Sequence, residues 1–251
     1  MRDETSYRII APYYDWIMAH VDYDAWGRYL VRLWKKHGLD PKTILELGAG
    51  TCPFARRDVY PASAKVAYSD LSPFMLSQGP VLSPDCRVAA NALSLPFKGP
   101  FDLCLMVYDA INYLMEDEDV ARCFHEALRV LAPGGLFIFD VTTEANSRKH
   151  FHQAVDYGEL EGCTYFRESR FDRESRVQGN DFIFFVEGRE DNWRKVKESH
   201  QQRIYKVERV KALARKAGFK VEGLFEGFTF RPGKETSERV HFVLRKPAAA
   251  K

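Results

Sequence analysis

The sequence lacks the features that mark membrane, nucleic-acid-binding and disulfide-stabilised proteins. Its apolar runs fall well short of the roughly 20 residues that a membrane-spanning helix needs. With 37 Lys and Arg against 35 Asp and Glu, its net charge is +2, which gives no support for a dedicated nucleic-acid binder. The 5 cysteines are scattered and form no C-x-x-C pair, so neither a disulfide framework nor a metal site is indicated. Because the N-terminal stretch has no signal-peptide pattern either, we expect a cytoplasmic protein that binds neither membranes nor nucleic acid.

What the sequence does have is an alternation of apolar strands and amphipathic helices. Patterns of buried strands occur at 44–47, 65–70, 86–90, 101–107 and 136–141. Helical spacing occurs at 7–37, with an interruption, and at 117–131. Pro53 and the pair Ser72-Pro73 suit the first turns of two further helices. The alternation predicts a doubly wound α/β fold with a parallel sheet.

The pattern changes after about residue 145, where short alternating and aromatic runs follow one another. Antiparallel strands are expected at 163–172, 181–186 and 193–205. Gly179-Asn180 and Gly188 are expected to form the turns between them. A helix at 207–217 and strands at 219–224 and 239–245 then return to the first pattern.

The change of pattern divides the chain into three predicted parts. They are an N-terminal helical lid (1–40), an α/β core (41–144 and 206–247) and a small antiparallel β insertion (145–205). The insertion is expected to form either a roof over the ligand pocket or a dimer contact. The protein is accordingly expected to be a monomer or a homodimer.

Ligands of an open parallel sheet bind beyond the carboxyl ends of its strands. In this sequence those ends fall at Glu46–Cys52, Asp70–Leu71, Asn91–Ala92, Tyr108–Asn112 and Thr142–Thr143. Gly48 and Gly50 allow the backbone to turn sharply and to approach a ligand closely. A carboxylate at Asp70 can accept both hydroxyls of a ribose. One ligand pocket is therefore predicted at this edge of the sheet.

The loop after the first strand departs from common nucleotide-binding patterns. A dinucleotide fingerprint requires G-x-G-x-x-G, but Pro53 stands at the position of the third glycine. The loop also has no P-loop lysine. Glu46 before the G-x-G and the acid at Asp70 suit a nucleoside with a cationic amino-acid tail better than a pyrophosphate. A nicotinamide-dependent oxidoreductase is therefore a disfavoured alternative.

An ordered set of motifs resembles those of class I S-adenosylmethionine-dependent methyltransferases. The motifs are Glu46–Cys52, Asp70–Leu76, Phe101–Leu103, Asp109–Leu114, Leu128–Gly135 and Ala217–Phe219. Within that class the sequence is most similar to small-molecule enzymes with antiparallel strands after the fifth strand, some of which methylate amino groups of nucleotide sugars. The resemblance implies a Rossmann-like, seven-stranded sheet, S-adenosyl-L-methionine as cofactor and a small-molecule acceptor.

The resemblance also implies roles for the residues at the strand ends. Asp70 would hold the ribose hydroxyls, Leu71 would pack on the adenine, and Tyr108 would lie beside the sulfonium. Asn91 replaces the usual aspartate that faces the adenine amino group, and Cys52 replaces the usual third glycine, which puts the cofactor affinity in question. The implied cofactor-binding set is Tyr14, Glu46, Gly48, Ala49, Gly50, Thr51, Asp70, Leu71, Asn91, Ala92 and Tyr108.

The acceptor side of the pocket has its own candidates. A methyl group on a sulfonium is already electrophilic, so the protein must align the acceptor and, where the acceptor is protonated, take its proton. The catalytic candidates are Tyr14, Asp109 and His200, and the candidates for substrate contact are Tyr7, Asn112 and Arg203. Simpler explanations remain open, since tyrosines and histidines also pack in cores and Asp and Asn also cap helices.

The leading hypothesis is a methyltransferase that transfers a methyl group to a small polar acceptor by in-line displacement. The alternative is an S-adenosylmethionine-binding regulatory or scaffold protein without transfer activity, which the residues Cys52 and Asn91 suggest. Methylation of nucleic acid is disfavoured because the chain reads Tyr108-Asp-Ala-Ile-Asn112. Nucleic-acid amino-methylating enzymes carry an Asn/Asp-Pro-Pro-aromatic signature in that place.

Overall fold

The computed structural model describes residues 7–80, 86–188 and 192–248. Its main sheet contains β1 (Thr43–Leu47), β2 (Lys65–Asp70), β3 (Arg87–Ala89), β4 (Phe101–Met106), β5 (Leu131–Thr142), β10 (Lys220–Glu226) and β11 (Arg239–Arg245). The strand order is β10-β11-β5-β4-β1-β2-β3. Strands β1 to β5 pair in parallel, whereas β11 is antiparallel to both β5 and β10. The predicted seven-stranded, Rossmann-like sheet is confirmed.

The six described α-helices are α1 (Tyr14–Ile17), α2 (Tyr23–Lys36), α3 (Pro73–Ser77), α4 (Asp117–Val130), α5 (Glu144–His150) and α6 (Val207–Lys216). Three of them, α2, α3 and α5, begin after a residue whose side chain caps them. Asp22 caps α2 by accepting the N–H of Ala25 at 2.8 Å, and Ser72 caps α3 as predicted. No helix in the described ranges is both long enough and apolar enough to span a membrane.

The main sheet is buried on both faces because successive residues of its central strands face different helices. Leu45 of β1 packs with Phe124 of α4 on one face. Ile44, the preceding residue, packs with Leu30 and Trp34 of α2 on the other face. Full burial of one such large apolar side chain stabilises the fold by about 1.5–3 kcal/mol. The two-sided core explains why these strands read as nearly continuous apolar runs.

The helix predicted to begin at Pro53 is wrong. After β1 the chain forms only a 3₁₀ turn at Ala55–Arg57. Cys52 and Asp58, on either side of this segment, have left-handed φ angles of 55° and 48°. Since no α-helix continues through left-handed residues, the short stretch between them holds a single turn.

The fifth strand begins at Leu131 rather than at the predicted Leu136. Phe101 pairs with Leu131, and Leu103 pairs with Leu136, so residues 132–135 form an irregular stretch within the strand. Pro133-Gly134-Gly135 lies in this stretch, where Gly134 has a φ of 81°. The glycines therefore bend the start of β5 instead of separating it from α4.

A second sheet contains four antiparallel strands, β6 (Ala154–Leu160), β7 (Cys163–Asp172), β8 (Val177–Glu187) and β9 (Trp193–Arg203). The sequence does not predict β6 or α5. Val155 and Tyr157 of β6 are 74% and 73% exposed. Because this edge strand buries few apolar side chains, its sequence lacks the pattern by which a buried strand is recognised. The predicted turn at Gly179-Asn180 is wrong because Asn180 pairs with Ser169 on one side and His200 on the other, inside β8. The boundaries of the predicted lid, core and insertion remain predictions.

Candidate active site

A cavity of about 830 Å³ lies beyond the carboxyl ends of the parallel strands. The predicted residues on its wall are Tyr7, Tyr14, Gly48, Gly50, Asp70, Leu71, Asn91, Ala92, Tyr108, Asp109 and His200. The predicted residues that are not on this wall are Glu46, Ala49, Thr51, Asn112 and Arg203. Gln178, Asn180, Phe182 and Gln202 of the second sheet complete the wall. The cavity therefore lies between the main sheet and the second sheet.

The turn after β1 brings bare backbone to the cavity. Gly48 and Gly50 have left-handed φ angles of 64° and 55°, which side chains disfavour. A Cβ on Gly48 would lie 3.0 Å from the Cβ of Ala110, and one on Gly50 would lie 3.3 Å from the Cε of Met75. The two glycines thus keep open a space that larger residues would fill.

Asp70 ends β2 and is bonded to the same turn. Its Oδ2 accepts the N–H of Gly50 at 2.8 Å, and its Oδ1 accepts the N–H of Ser72 at 2.8 Å. Burial raises the pKa of Asp70, and the two backbone donors oppose that shift. Since a carboxylate oxygen has two lone pairs, each oxygen of Asp70 can accept one further hydrogen bond from a ligand.

Leu71, Asn91 and Ala92 form the part of the wall next to Asp70. The Oδ1 of Asn91 accepts the N–H of Leu93 at 2.9 Å, which closes a local turn. Its amide nitrogen makes no hydrogen bond within the part of the chain that the structure describes. One lone pair of Oδ1 and the amide hydrogens of Asn91 therefore remain for a ligand.

Glu46 lies behind the glycine turn rather than on the cavity wall. Its Oε2 accepts the hydroxyl of Tyr60 at 2.5 Å, and only 2% of the residue is exposed. Burial raises the pKa of Glu46 to about 8, although the Tyr60 hydrogen bond opposes the shift. Glu46 is thus a buried carboxyl that is protonated over much of the neutral range.

Thr51 and Cys52 fix the back of the same turn. The hydroxyl of Thr51 donates to Oδ1 of Asp15 at 2.6 Å and so joins the turn to α1. Cys52 is fully buried and packs with Tyr68 and Leu76. Burial raises the pKa of the Cys52 thiol to about 12. Cys52 therefore fills space away from the cavity wall and is a poor nucleophile.

Tyr108 and Asp109 follow β4 with consecutive left-handed φ angles of 61° and 50°. Asp109 is held at both ends: its Oδ1 lies 2.7 Å from Nη1 of Arg239, and its Oδ2 accepts the amide of Gln202 at 2.5 Å. Its backbone N–H donates to Oδ2 of Asp140 at 3.0 Å. Strained backbone of this kind persists where the surrounding structure enforces it, and it is frequent at functional sites.

One guanidinium serves two buried carboxylates in this cluster. Arg239 pairs with Asp140 as well as with Asp109, and Asp140 is fully buried. The Oδ1 of Asp140 has no hydrogen-bond partner among the described residues. Burial raises the pKa of both carboxyls, and Arg239 opposes both shifts. The sequence does not predict this cluster, although one acid inside the apolar run of β5 was an available signal for Asp140.

Asn112 has a role that its residue type did not indicate. It is fully buried, its amide donates to the main-chain oxygen of Arg203 at 2.8 Å, and its Oδ1 accepts the N–H of Thr142 at 3.1 Å. These bonds connect the end of β5 to the end of β9. The side chain of Asn112 therefore holds the two sheets together.

A row of neutral amides extends from Asp109 along the second sheet. The amide of Gln178 donates to the Oε1 of Gln202 at 3.2 Å, and the hydroxyl of Ser147 donates to the Oε1 of Gln178 at 2.8 Å. The amide nitrogen of Asn180 makes no hydrogen bond in the described ranges. Gln178, Gln202 and Asn180 are not predicted from the sequence, because outward and inward polar residues of a strand look alike.

Glu198 of β9 holds the N-terminal segment over the cavity. Its Oε1 accepts the N–H of Tyr7 at 2.7 Å, and its Oε2 accepts those of Ile9 and Ile10 at 3.0 and 3.1 Å. Burial alone would raise the pKa of Glu198, but His200 and the backbone donors hold it below its ordinary value. The Nε2 of His200 lies 3.0 Å from Oε1 of Glu198, without the alignment of a hydrogen bond.

Tyr7 and Tyr14 contribute hydroxyls and aromatic faces to the wall. The ring centroid of Tyr7 lies 4.3 Å from that of His200, and its hydroxyl donates to the hydroxyl of Tyr113 at 2.5 Å. Burial raises the pKa of both Tyr7 and Tyr14 well above the ordinary value for tyrosine. Both phenols therefore stay protonated at neutral pH and act as neutral hydrogen-bonding groups.

Comparison with known proteins gives a consistent assignment. Residues 44–135 match the family profile of the methyltransferase domain. A protein of Geobacillus sp. (strain WCH70), whose name carries a provisional assignment as a methyltransferase, is 29% identical over 247 residues, which cover 96% of this chain and 100% of that protein. A solved S-adenosylmethionine-dependent methyltransferase from Clostridium acetobutylicum ATCC 824 has a TM-score of 0.78 at 21% identity, over 96% of this chain and 99% of that one. The sugar N-methyltransferase KedS8 from Streptoalloteichus sp. ATCC 53650 has a TM-score of 0.76 at 20% identity, over 92% and 91%. Residues 44–135 therefore form a methyltransferase domain, and the chain has the Rossmann-like fold of the S-adenosylmethionine-dependent methyltransferases.

Proposed function

We propose that the protein transfers a methyl group from S-adenosyl-L-methionine to a small polar acceptor by in-line displacement. The continuity of the cavity is the observation that supports this most. One space of about 830 Å³ has the glycine turn at one end and the amide row of the second sheet at the other. Small-molecule sites commonly enclose about 300–1,000 Å³, so this volume leaves room for an acceptor beside the cofactor.

The residues at the strand ends fit the cofactor. The open backbone of the turn at 48–50 suits the methionine end, and the free lone pairs of Asp70 suit the ribose hydroxyls. Leu71, Asn91 and Ala92 would enclose the adenine. Glu46, Ala49 and Thr51 would support the turn from behind rather than touch the cofactor.

The chain's own residues supply alignment and a place for the proton. S-adenosylmethionine provides a methyl group on a positively charged sulfur, which is already electrophilic. Asp109 is the best-placed proton acceptor, because Arg239 and Gln202 fix its carboxylate on the wall. Tyr14 and Tyr108 add aromatic faces, which favour a nearby positive charge. Tyr7 and His200 would contact the acceptor, while the predicted substrate contacts of Asn112 and Arg203 have no support in this geometry.

Calorimetric titration with S-adenosylhomocysteine, the demethylated cofactor, tests the first half of the proposal. We expect binding by the wild-type protein and binding about tenfold weaker or more by Asp70→Asn, since a hydrogen bond to a charged group contributes about 1.5–3 kcal/mol. Asp40→Asn, at an exposed loop, is the matched control and should bind like wild type. Folded wild-type protein that does not bind would refute the proposal.

Incubation with methyl-labelled S-adenosylmethionine and a small-molecule extract of cells tests the second half. A labelled small product is expected. Cofactor binding without any labelled product would instead favour the regulatory or scaffold alternative. Label that enters DNA or RNA would contradict the proposed acceptor class, and light scattering on the same protein separates a monomer from a homodimer.

A further inference from the structure

We infer that the acceptor half of the cavity takes a hydroxyl-rich acceptor that is uncharged or cationic. It rejects acceptors that carry phosphate or carboxylate groups, because amides and carboxylates of the chain form this subsite. This inference rests on the proposed function and specifies the acceptor class of the same site. Two observations carry it: the described arginines on the wall are already paired with carboxylates, and the second sheet adds neutral amides to the same wall.

The arginine side chains on the described wall are already paired with carboxylates. Arg167 and Arg239 reach the cavity, and no lysine among the described residues does. Arg239 pairs with Asp109 and with Asp140. The Nη2 of Arg167 lies 2.9 Å from Oδ2 of Asp156. The buried Nε of Arg167 has no partner in the described ranges and can still donate, but the charge of its guanidinium is offset. On the wall formed by the described residues, a bound phosphate would therefore meet no unpaired arginine or lysine.

The charge that remains on the wall is negative. Asp109 and Asp140 share one guanidinium, so the cluster is anionic when both are ionised. Like charges repel strongly in a partly buried site, where the effective dielectric constant is far below that of water. An anionic acceptor would thus meet repulsion, whereas a cationic one would meet attraction.

The neutral groups on the wall suit hydroxyls. Asn180 is 9% exposed, its Oδ1 accepts the hydroxyl of Ser169 at 2.7 Å, and its amide hydrogens remain free in the described ranges. Gln178 and Gln202 each keep a second amide hydrogen beyond the bonds already described. Buried polar groups are almost always paired, so these donors suit acceptor oxygens of a ligand bound in the cavity. Hydroxyl oxygens provide such acceptors without adding a charge.

The same wall also handles a proton when the acceptor atom is an amine. Asp109 takes the proton of the ammonium group, which frees the nitrogen lone pair. The N–C bond then forms as the C–S bond of the donor breaks, and the methylated ammonium product leaves together with the thioether. All electrons and protons in this step come from the acceptor, the donor and Asp109.

A matched pair of probes tests the rejection of anions. Uridine and UDP, which differ by a diphosphate, are titrated separately into protein saturated with S-adenosylhomocysteine. We expect UDP to bind no more tightly than uridine, which includes the case in which neither binds. UDP that binds ten times more tightly than uridine would overturn the inference.

Variants on β6 test the same inference through an expected gain of affinity for an anion. Asp156→Asn removes the carboxylate that offsets Arg167 and should increase the affinity for inorganic pyrophosphate at least threefold. Glu159→Gln, which removes an exposed carboxylate on the same strand away from the cavity wall, is the control and should give no increase. Equal pyrophosphate affinity of Asp156→Asn and wild type would count against the inference.

The charge of the product gives an independent answer. The labelled product formed from the cell extract is passed over an anion-exchange resin at neutral pH. Product that flows through supports the inference, and product that is retained overturns it. Failure of the proposed function looks different, because S-adenosylhomocysteine would not bind or no label would leave the donor. The pyrophosphate titrations of wild type and Asp156→Asn need no bound S-adenosylhomocysteine and would still decide the charge preference.

Discussion

Nη1 of Arg239 lies 2.7 Å from Oδ1 of Asp109, and the same guanidinium pairs with the buried Asp140. The last strand of the main sheet, β11, thus supplies the cation for two neighbouring carboxylates, one from β5 and one from the loop after β4. This cation offsets the repulsion between them. The geometry of Asp109 at the cavity therefore depends on a residue that lies far away in the sequence.

Replacement of Arg239 by Gln should lower the free energy of unfolding by about 3–5 kcal/mol at pH 7, because it leaves buried carboxylates without their cation. The loss should shrink as the pH falls, since protonated carboxyls need no cation. Urea unfolding at several pH values measures both effects. The control is Arg231→Gln, at a side chain that is 72% exposed and paired with Glu226, where we expect a change of about 1 kcal/mol or less. A similarly small loss for both variants would contradict the cluster's importance.

Glu46 should make the protein less stable as the pH rises. Its pKa is about 8 in the folded protein, against an ordinary value of 4.5, because burial disfavours the charged form. Between these two values the unfolded chain loses the proton while the folded chain keeps it, so stability falls with increasing pH. Glu46→Gln, which cannot ionise, should resemble wild type near pH 4.5 and exceed it by several kcal/mol above pH 8.

Urea unfolding of both proteins across that pH range tests this sign. Glu159→Gln, at an exposed position of β6, is the matched control and should leave the pH dependence of wild type unchanged. A Glu46→Gln variant that gained stability at low pH instead, or that kept the slope of wild type, would show that Glu46 is ionised in the folded protein.

The residues whose position on the cavity wall could be predicted from the sequence are those placed by local order. Gly48, Asp70 and Tyr108 follow apolar strands directly, and parallel strands bring their carboxyl ends to one edge. The main sheet itself was predictable because its central strands are buried on both faces and are therefore apolar throughout. The predictions of a methyltransferase and of a Rossmann-like fold are confirmed. They could be made from the sequence because each motif that carries them is a short, local stretch.

The rest depended on partners that a single sequence does not reveal. Arg239 meets Asp109 only because β11 lies beside β5 in the sheet. Asn112 looked like a substrate-binding residue, but the end of β9 comes close enough to use its amide. The amides of β8 and β9 face the cavity only through the register of the second sheet, which a shift of one residue would reverse.

The glycine turn can be tested against a second glycine with the same backbone strain. Gly48→Ala and Gly134→Ala both place a side chain at a left-handed φ, of 64° and 81°, and each should cost about 1–2 kcal/mol of stability. Only the Cβ at position 48 meets a neighbour, at 3.0 Å from Ala110, and only position 48 lies on the cavity wall. We therefore expect Gly48→Ala to weaken S-adenosylhomocysteine binding about tenfold or more and Gly134→Ala to leave it unchanged. Calorimetry would contradict the proposed cofactor position if the two variants bound equally well.

Glu198 should control how firmly the N-terminal segment stays over the cavity. Its carboxylate accepts the N–H groups of Tyr7, Ile9 and Ile10, and hydrogen bonds to a charged acceptor contribute about 1.5–3 kcal/mol each. Glu198→Gln keeps the shape but loses the charge, so the amides of residues 7–10 should exchange with solvent about tenfold faster. Hydrogen-exchange mass spectrometry measures this directly.

Glu168→Gln, at a side chain of β7 that is 57% exposed, should leave the exchange of these amides at the wild-type rate. Because the pKa of Glu198 is held below its ordinary value, acidification through that lowered pKa should reduce the protection of these amides, measured relative to their intrinsic exchange rates, in wild type and not in Glu198→Gln. Identical losses of protection in both proteins would show that another group holds the segment.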